Sequence, residues 1–165
     1  MGVSATRRAR VPGAAGQAGI VRQALGVALV AFSPLGRGFL TAAPPDPAAL
    51  PAGDVRRAMP RFDERHYPAN LALRDELERI ADEAGLTLPR LALGWVLSRG
   101  PHVVALPGTR SVDHLRENLS VLDAEVPAGV LEAAGRVLNA TTGHGARYPE
   151  ATLPEIDTER CGRAG

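Results

Sequence analysis

Apolar positions along the chain fall into two rhythms. Two short runs, GVALVAF at 26–32 and VVAL at 103–106, contain no polar residue, the pattern of a strand covered on both faces. Each is followed at once by a breaker, SPLGRG at 33–38 and PGTR at 107–110. Proline removes a ladder donor there, and glycine admits backbone geometries that other residues resist. Helical spacing governs most of the rest. From Asn70 onward Leu73, Leu77, Ile80, Ala81 and Ala84 recur at three- and four-residue steps, and Gly85 stands where a left-handed residue closes a helix. Thr87 predicts the next cap, with Pro89 in the first turn. Leu91, Leu93, Trp95, Val96 and Leu97 then make a mostly buried helix that Gly100-Pro101 stops. Beyond the second run, Ser111 predicts the cap of a helix through Leu115, Leu119 and Leu122. Pro127 opens another through about Asn139, with Val130, Leu131, Ala134 and Leu138 on one face.

Strands alternating with helices imply parallel pairing and an α/β class. Two strands are few, because a complete (β/α)₈ barrel needs eight strands and about 250 residues, and a two-stranded sheet leaves both edges open. Residues 1–20 lack periodicity and read as an irregular tail, 21–157 as the folded part and 158–165 as a flexible C-terminus. The segment 43–59, rich in proline and glycine, reads as a long excursion, either a lid or binding loop or a disordered stretch. From Gly143 the chain is polar and irregular, which predicts a surface loop.

Charge narrows the functional classes. The 19 basic residues are all arginine and stand against 18 acidic ones, leaving a net charge of +1. No excess of either sign draws the chain to nucleic acid or to an anionic membrane. A single cysteine, Cys161, cannot form an internal disulfide, and His66, His102, His114 and His144 lack metal-cage spacing, so no metal is expected and the expected compartment is cytoplasmic. The Gly2–Thr6 myristoylation pattern, Arg7-Arg8 and the apolar run at 24–32 are rejected as targeting signals. Arg22 interrupts the apolar segment, no A-x-A site closes it, and it falls short of the ~20 residues a membrane span needs.

Ligands of α/β folds bind at the carboxyl ends of strands, where both breaker loops lie. In the second, Gly108 permits close approach, while Thr109, Arg110 and the first amides of the Ser111 helix converge donors on an anion. That describes a phosphate pocket, although an ordinary capped turn has the same residues. Two turns into the helix, Glu117 and Asn118 read either as a solvated acid and amide or as hydrogen-bonding partners of an adenine edge.

The strings VALVAFSPLGRGFLTA (27–42), MPRFD (59–63), LALGWVLSRGPHVVALPGTRSVDHLRENL (91–119) and GARYPE (145–150), in that order, resemble the C-terminal half of aldo-keto reductases. The resemblance implies a partial (β/α)₈ barrel, its last two strands with their helices and C-terminal loop, binding NADP without a Rossmann domain. By the same resemblance Ser33, Leu35, Gly36 and Gly38 line the pyrophosphate and ribose, and Gly108 is a further cofactor-binding position in the second loop. Thr109 and Arg110 hold the adenosine 2′-phosphate, and Glu117 and Asn118 match the adenine-contacting pair. At His114 relatives often carry glutamine or arginine. Arginine suits the 2′-phosphate because its planar fork satisfies two oxygens and stays charged, which favours NADPH over NADH.

Catalysis in the family resembles general-acid work on a carbonyl. A tyrosine donates the proton, its pKa lowered by a lysine that pairs with an aspartate, while a histidine orients the substrate. This sequence has no lysine, and Tyr67 and Tyr148 match no such motif, so no catalytic residue is carried over. The first expectation is the NADP(H)-binding C-terminal portion of an aldo-keto reductase, inactive as this chain, from a truncated or frame-disrupted coding sequence. Its partners would be NADPH and a small carbonyl substrate. The alternative is a non-catalytic nucleotide-binding or regulatory half-barrel that self-associates through open strand edges.

Overall fold

The computed structural model describes residues 26–123, 125–138 and 142–155; the tails expected at 1–20 and 158–165 lie outside the described residues. Strand β1 (Leu29–Phe32) and strand β2 (Val103–Leu106) pair in parallel, in the register Leu29 with Val103 through Phe32 with Leu106. Helices α1 (Tyr67–Glu83) and α2 (Leu88–Leu97) lie between the strands in sequence, and α3 (Val112–Leu119) and α4 (Ala128–Val137) follow β2. The chain is α/β, as its alternating rhythms imply.

The core is built mainly between helices. Leu77, Ile80 and Ala81 of α1, Leu88 and Leu91 of α2, and Val126 and Ala134 beside and within α4 form one buried cluster. Gly94 of α2 permits the closest approach in it, since a Cβ there would meet Val126 Cγ2 at 2.5 Å. Trp95 borders the cluster with the Arg99 guanidinium 4.5 Å above its ring.

Coverage of the sheet departs from the expectation of strands buried on both sides. Val30 and Phe32 are each 53% exposed, Val104 is 51% and Leu106 57%, while Leu29, Ala31, Val103 and Ala105 face inward. Within a two-stranded sheet both strands are edges, and the described chain covers one face. The leucine stripe of α3 is open for the same reason: Leu115, Leu119 and Leu122 are exposed, and the helix tightens to a 3₁₀ turn at Ser120–Leu122.

Helix boundaries follow cap chemistry. Thr87 and Ser111 accept hydrogen bonds from the amides of Arg90 and His114, each at 3.4 Å, and Gly85, at φ +66°, ends α1. Helix α1 begins at Tyr67, ahead of the expected Asn70, because Pro68 sits in its first turn, where a missing N–H costs nothing.

The 43–59 excursion is packed rather than disordered. Asp46 and Asp54 each accept an amide two residues on, at 2.9 Å, starting the 3₁₀ turns Pro47–Ala49 and Val55–Ala58. Leu50 and Met59 are buried. Phe39, Phe62 and Tyr67 form an aromatic triad with centroids 5.7–6.2 Å apart. The segment from Gly143 is likewise docked rather than a free surface loop. Asn70 Nδ2 donates to the carbonyls of Arg61 at 3.1 Å and His144 at 3.0 Å, and its Oδ1 accepts from the His144 amide at 2.9 Å.

Candidate functional site

Parallel pairing through Phe32 and Leu106 sends the loops 33–38 and 107–110 off the same, carboxyl, end of the sheet. The first loop winds through left-handed backbone, with φ of +51° at Ser33, +59° at Gly36, +61° at Arg37 and +89° at Gly38. Glycine adopts this freely, whereas Ser33 and Arg37 each store about 1 kcal/mol or more of strain. Hydrogen bonds hold the path: Gly36 N–H donates to Ser33 O at 3.0 Å, Gly38 N–H to Leu35 O at 3.2 Å, and Thr41 Oγ1 to Gly38 O at 2.7 Å. Arg56 Nη1 donates to Arg37 O at 3.2 Å.

Arg56 is fixed in turn by a fork to Asp54, Nε to Oδ1 at 2.9 Å and Nη2 to Oδ2 at 2.6 Å. Hydrogen bonds from the Arg56 side chain, then from its amide, hold the Asp54 carboxyl at about 2. Behind the loop, the buried Arg74 of α1 donates through Nη2 to Thr41 O at 2.7 Å and to Glu78 Oε1 at 2.8 Å, and through Nη1 to Glu78 Oε2 at 2.8 Å. The hydrogen bond to Glu78 raises the pKa of Arg74 further. Arg74 and Asn70 tie α1 to these neighbouring segments, and motif reading missed them. Their signal lies in the spacing 70, 74, 77, 81, which puts two polar residues on the buried stripe of α1.

In the second loop Gly108, Thr109 and Arg110 are exposed. Thr109 Oγ1 accepts from the Ser111 amide at 3.1 Å, so this hydroxyl braces the turn as well as standing at its surface. Arg110 forms no ion pair among the described residues; the neighbouring acid, Asp113, is taken by Arg116 at 3.0 Å. His114 is exposed on the first turn of α3 and Glu117 is half-buried. Asn118 is only 5% exposed, so of the expected base-contacting pair Glu117 is the one at the surface.

Other titratable groups have structural settings. His66 has a carboxylate three residues before it: its Nδ1 lies 2.8 Å from Asp63 Oδ1. Asp63 also accepts the amides of Arg65 and His66, closing the turn before α1. Desolvation pushes Asp63 up, but the hydrogen bonds from His66 outweigh it and leave the carboxyl below its usual range. The Tyr67 hydroxyl donates to Pro45 O, and burial raises its pKa. Tyr148 lies under the Arg37 guanidinium, 5.3 Å from ring centroid to Cζ. Among the described residues no group of three or more His, Cys, Asp or Glu could hold a metal ion, and no helix is long and apolar enough to cross a membrane.

A parallel sheet sending glycine-bearing loops off the carboxyl ends of its strands is the architecture of α/β proteins that bind ligands at strand ends. The sequence matches the Aldo/keto reductase family over residues 19–135, and the chain belongs to that family. It is 35% identical over 130 residues to "Aldo-keto reductase yakc [NADP(+)]" of Schizosaccharomyces pombe (strain 972 / ATCC 24843), covering 79% of this chain and 38% of that protein. It is 37% identical over 95 residues to "Aldo-keto reductase str7" of Strobilurus tenacellus, covering 58% of this chain and 28% of the relative. Among solved structures, the glycerol dehydrogenase AKR11B4 from Gluconobacter oxydans matches with a TM-score of 0.67 and 25% identity, over 76% of this chain and 38% of that one. The chain thus spans under two-fifths of the length of these relatives.

Proposed function

We propose that the chain is the NADP(H)-binding C-terminal portion of an aldo-keto reductase barrel, with β1 and β2 as its last two strands. In this reading Thr109 and Arg110 hold the 2′-phosphate, and Ser33, Leu35, Gly36, Gly38 and Gly108 line the pyrophosphate and ribose. His114 and Glu117 flank the adenine, while Asn118 supports them from beneath α3. The single observation that carries the reading is Arg110, an exposed guanidinium without an ion pair among the described residues, set directly before the Ser111 cap of α3 and at the same end of the sheet as the left-handed 33–38 loop. An uncommitted cation beside free helix amides suits a phosphate. The cofactor, when bound, supplies hydride for reduction of a carbonyl. The chain's own residues bind and orient it.

Proton donation is a different matter. The sequence has no lysine to lower a tyrosine pKa, and Tyr67 donates to a backbone carbonyl. The polypeptide alone is therefore expected to bind NADPH without reducing carbonyls. Fluorescence titration tests the binding. Arg110→Ala should weaken NADPH by about tenfold or more and leave NADH unchanged, as loss of a charge-assisted pair requires. Equal affinity of the parent chain for both dinucleotides, or indifference of NADPH to the substitution, overturns the assignment.

The open apolar face supports a second reading, a nucleotide-binding module that self-associates. Sedimentation velocity distinguishes them: a discrete oligomer with NADPH affinity supports the module, and a monomer supports the barrel portion.

A further inference from the structure

The 43–59 excursion reaches back to the first loop through Arg56. Its 3₁₀ turn Val55–Ala58 is seated between the buried Leu50 and Met59, with Arg57 Nη1 donating to Leu50 O at 2.7 Å and the Met59 amide to Arg56 O at 3.0 Å. From this base the Arg56 guanidinium extends, aligned by Asp54, whose carboxylate accepts the Arg56 amide, Nε and Nη2 at 2.6–2.9 Å. Both side chains are largely shielded, 25% and 17% exposed. The third nitrogen, Nη1, is thereby turned to Arg37 O at 3.2 Å, 19 residues earlier in the chain.

Arg37 is where such a contact has most effect. Among the described residues only Ser33 and Arg37 combine a side chain with positive φ, and Arg37 stands at φ +61° and ψ +41°. A residue with a Cβ favours the right-handed and extended regions, and Gly38, at φ +89°, restrains the peptide between them little. A hydrogen bond to the carbonyl of that peptide fixes both flanking angles. Its donor is a cation, which places it in the stronger, charge-assisted class. The fork to Asp54 has already ordered the guanidinium, so little rotamer freedom is lost in making it. Nη1 also lies 3.7 Å from where a Cβ of Gly38 would stand, so the guanidinium flanks both residues of the peptide. With its pKa at about 2, Asp54 keeps the fork charged throughout the neutral range.

We infer that Asp54 and Arg56 are a positioning pair, built into the 43–59 excursion to hold the Arg37–Gly38 peptide in the left-handed turn that receives the dinucleotide pyrophosphate. Resting on the cofactor reading for its ligand, the pair acts through the loop backbone. A loop already in its binding conformation loses less freedom when the ligand arrives, so the effect of the pair is read in affinity. The excursion is then a brace for a ligand loop rather than a cover over it.

The test compares the parent chain with Arg56→Met, which keeps the reach of the side chain without its charge, and with Arg56→Lys, using NADPH and adenosine 2′-monophosphate as probes. The monophosphate carries the adenine and the 2′-phosphate but no pyrophosphate, so it reports on the second loop and α3 alone. Arg56→Met should weaken NADPH by about tenfold while leaving the monophosphate within about twofold. Arg56→Lys should recover part of the loss, because an ammonium can donate to Arg37 O without reproducing the fork. In the ligand-free chain the Gly36 and Gly38 amide signals should shift and exchange faster in Arg56→Met, with those of Gly94 in α2 and Gly129 in α4 unmoved. NADPH affinity that ignores Arg56→Met overturns the positioning role alone. So does an equal loss for both probes, or movement of all four glycine signals, either of which marks a general loosening of the fold. A parent chain that binds neither probe overturns the cofactor reading and the positioning role with it.

Discussion

Both terminal nitrogens of the buried Arg74 are bonded, to Glu78, Asp75 and the Thr41 carbonyl, so one side chain joins α1 to the loop beyond β1. Its removal strands those acceptors, and Arg74→Ala should cost about 3 kcal/mol, read as a lower urea midpoint. Arg74→Lys should recover part of it, because a point charge cannot reproduce the fork. Gly94→Ala sets two effects against each other: helix propensity gains about 1 kcal/mol, while overpacking against the buried Val126, 2.5 Å from the new Cβ, costs about 1–3. The clash should win, lowering the melting temperature. Gly129→Ala in α4, where nothing lies within 4 Å, should raise it. Asp54 sets a pH dependence. Its folded pKa of about 2 lies below the unfolded value, so the stabilisation is present above the usual aspartate range and is lost as pH falls toward 2. Carboxyl NMR of Arg56→Ala should show Asp54 returning to the ordinary range.

At the level of elements, punctuation was more legible than coverage. Thr87, Ser111, Gly85 and the breaker loops could be read from single residues, because cap and turn chemistry is local. Pro68 was misleading only in masking the first turn of α1. Apolar runs announce faces to be buried but do not name the covering partner; the runs alone imply strands covered on both faces, and only the shortage of strands points to the open apolar surfaces seen on β1, β2 and α3. The excursion was hidden for another reason, since its 3₁₀ turns carry no apolar period. The two candidate loops are visible through proline and glycine, whereas the gathering of Arg37, Arg61 and Arg147, from three distant segments, beside the first of them has no linear signature. Ser111→Ala should cost about 1 kcal/mol, and hydrogen exchange should show it concentrated in α3, whose outward leucines give it little packing to fall back on.

For the molecule as a whole, the decisive feature is the facing pair of exposed strands. Val30 opposite Val104 and Phe32 opposite Leu106 place four apolar side chains on one uncovered surface. Association should therefore rise with concentration, and Val30→Thr with Val104→Thr, which keeps β-branched residues, should shift sedimentation toward monomer. A different consequence follows from the amide of Asn70. A ribosome delivers this residue 74 positions before His144, its principal companion. Until the later segment emerges, the nascent α1 carries a hydrophilic group on its inward stripe with part of its bonding unmade. Completion of that corner is therefore timed by synthesis.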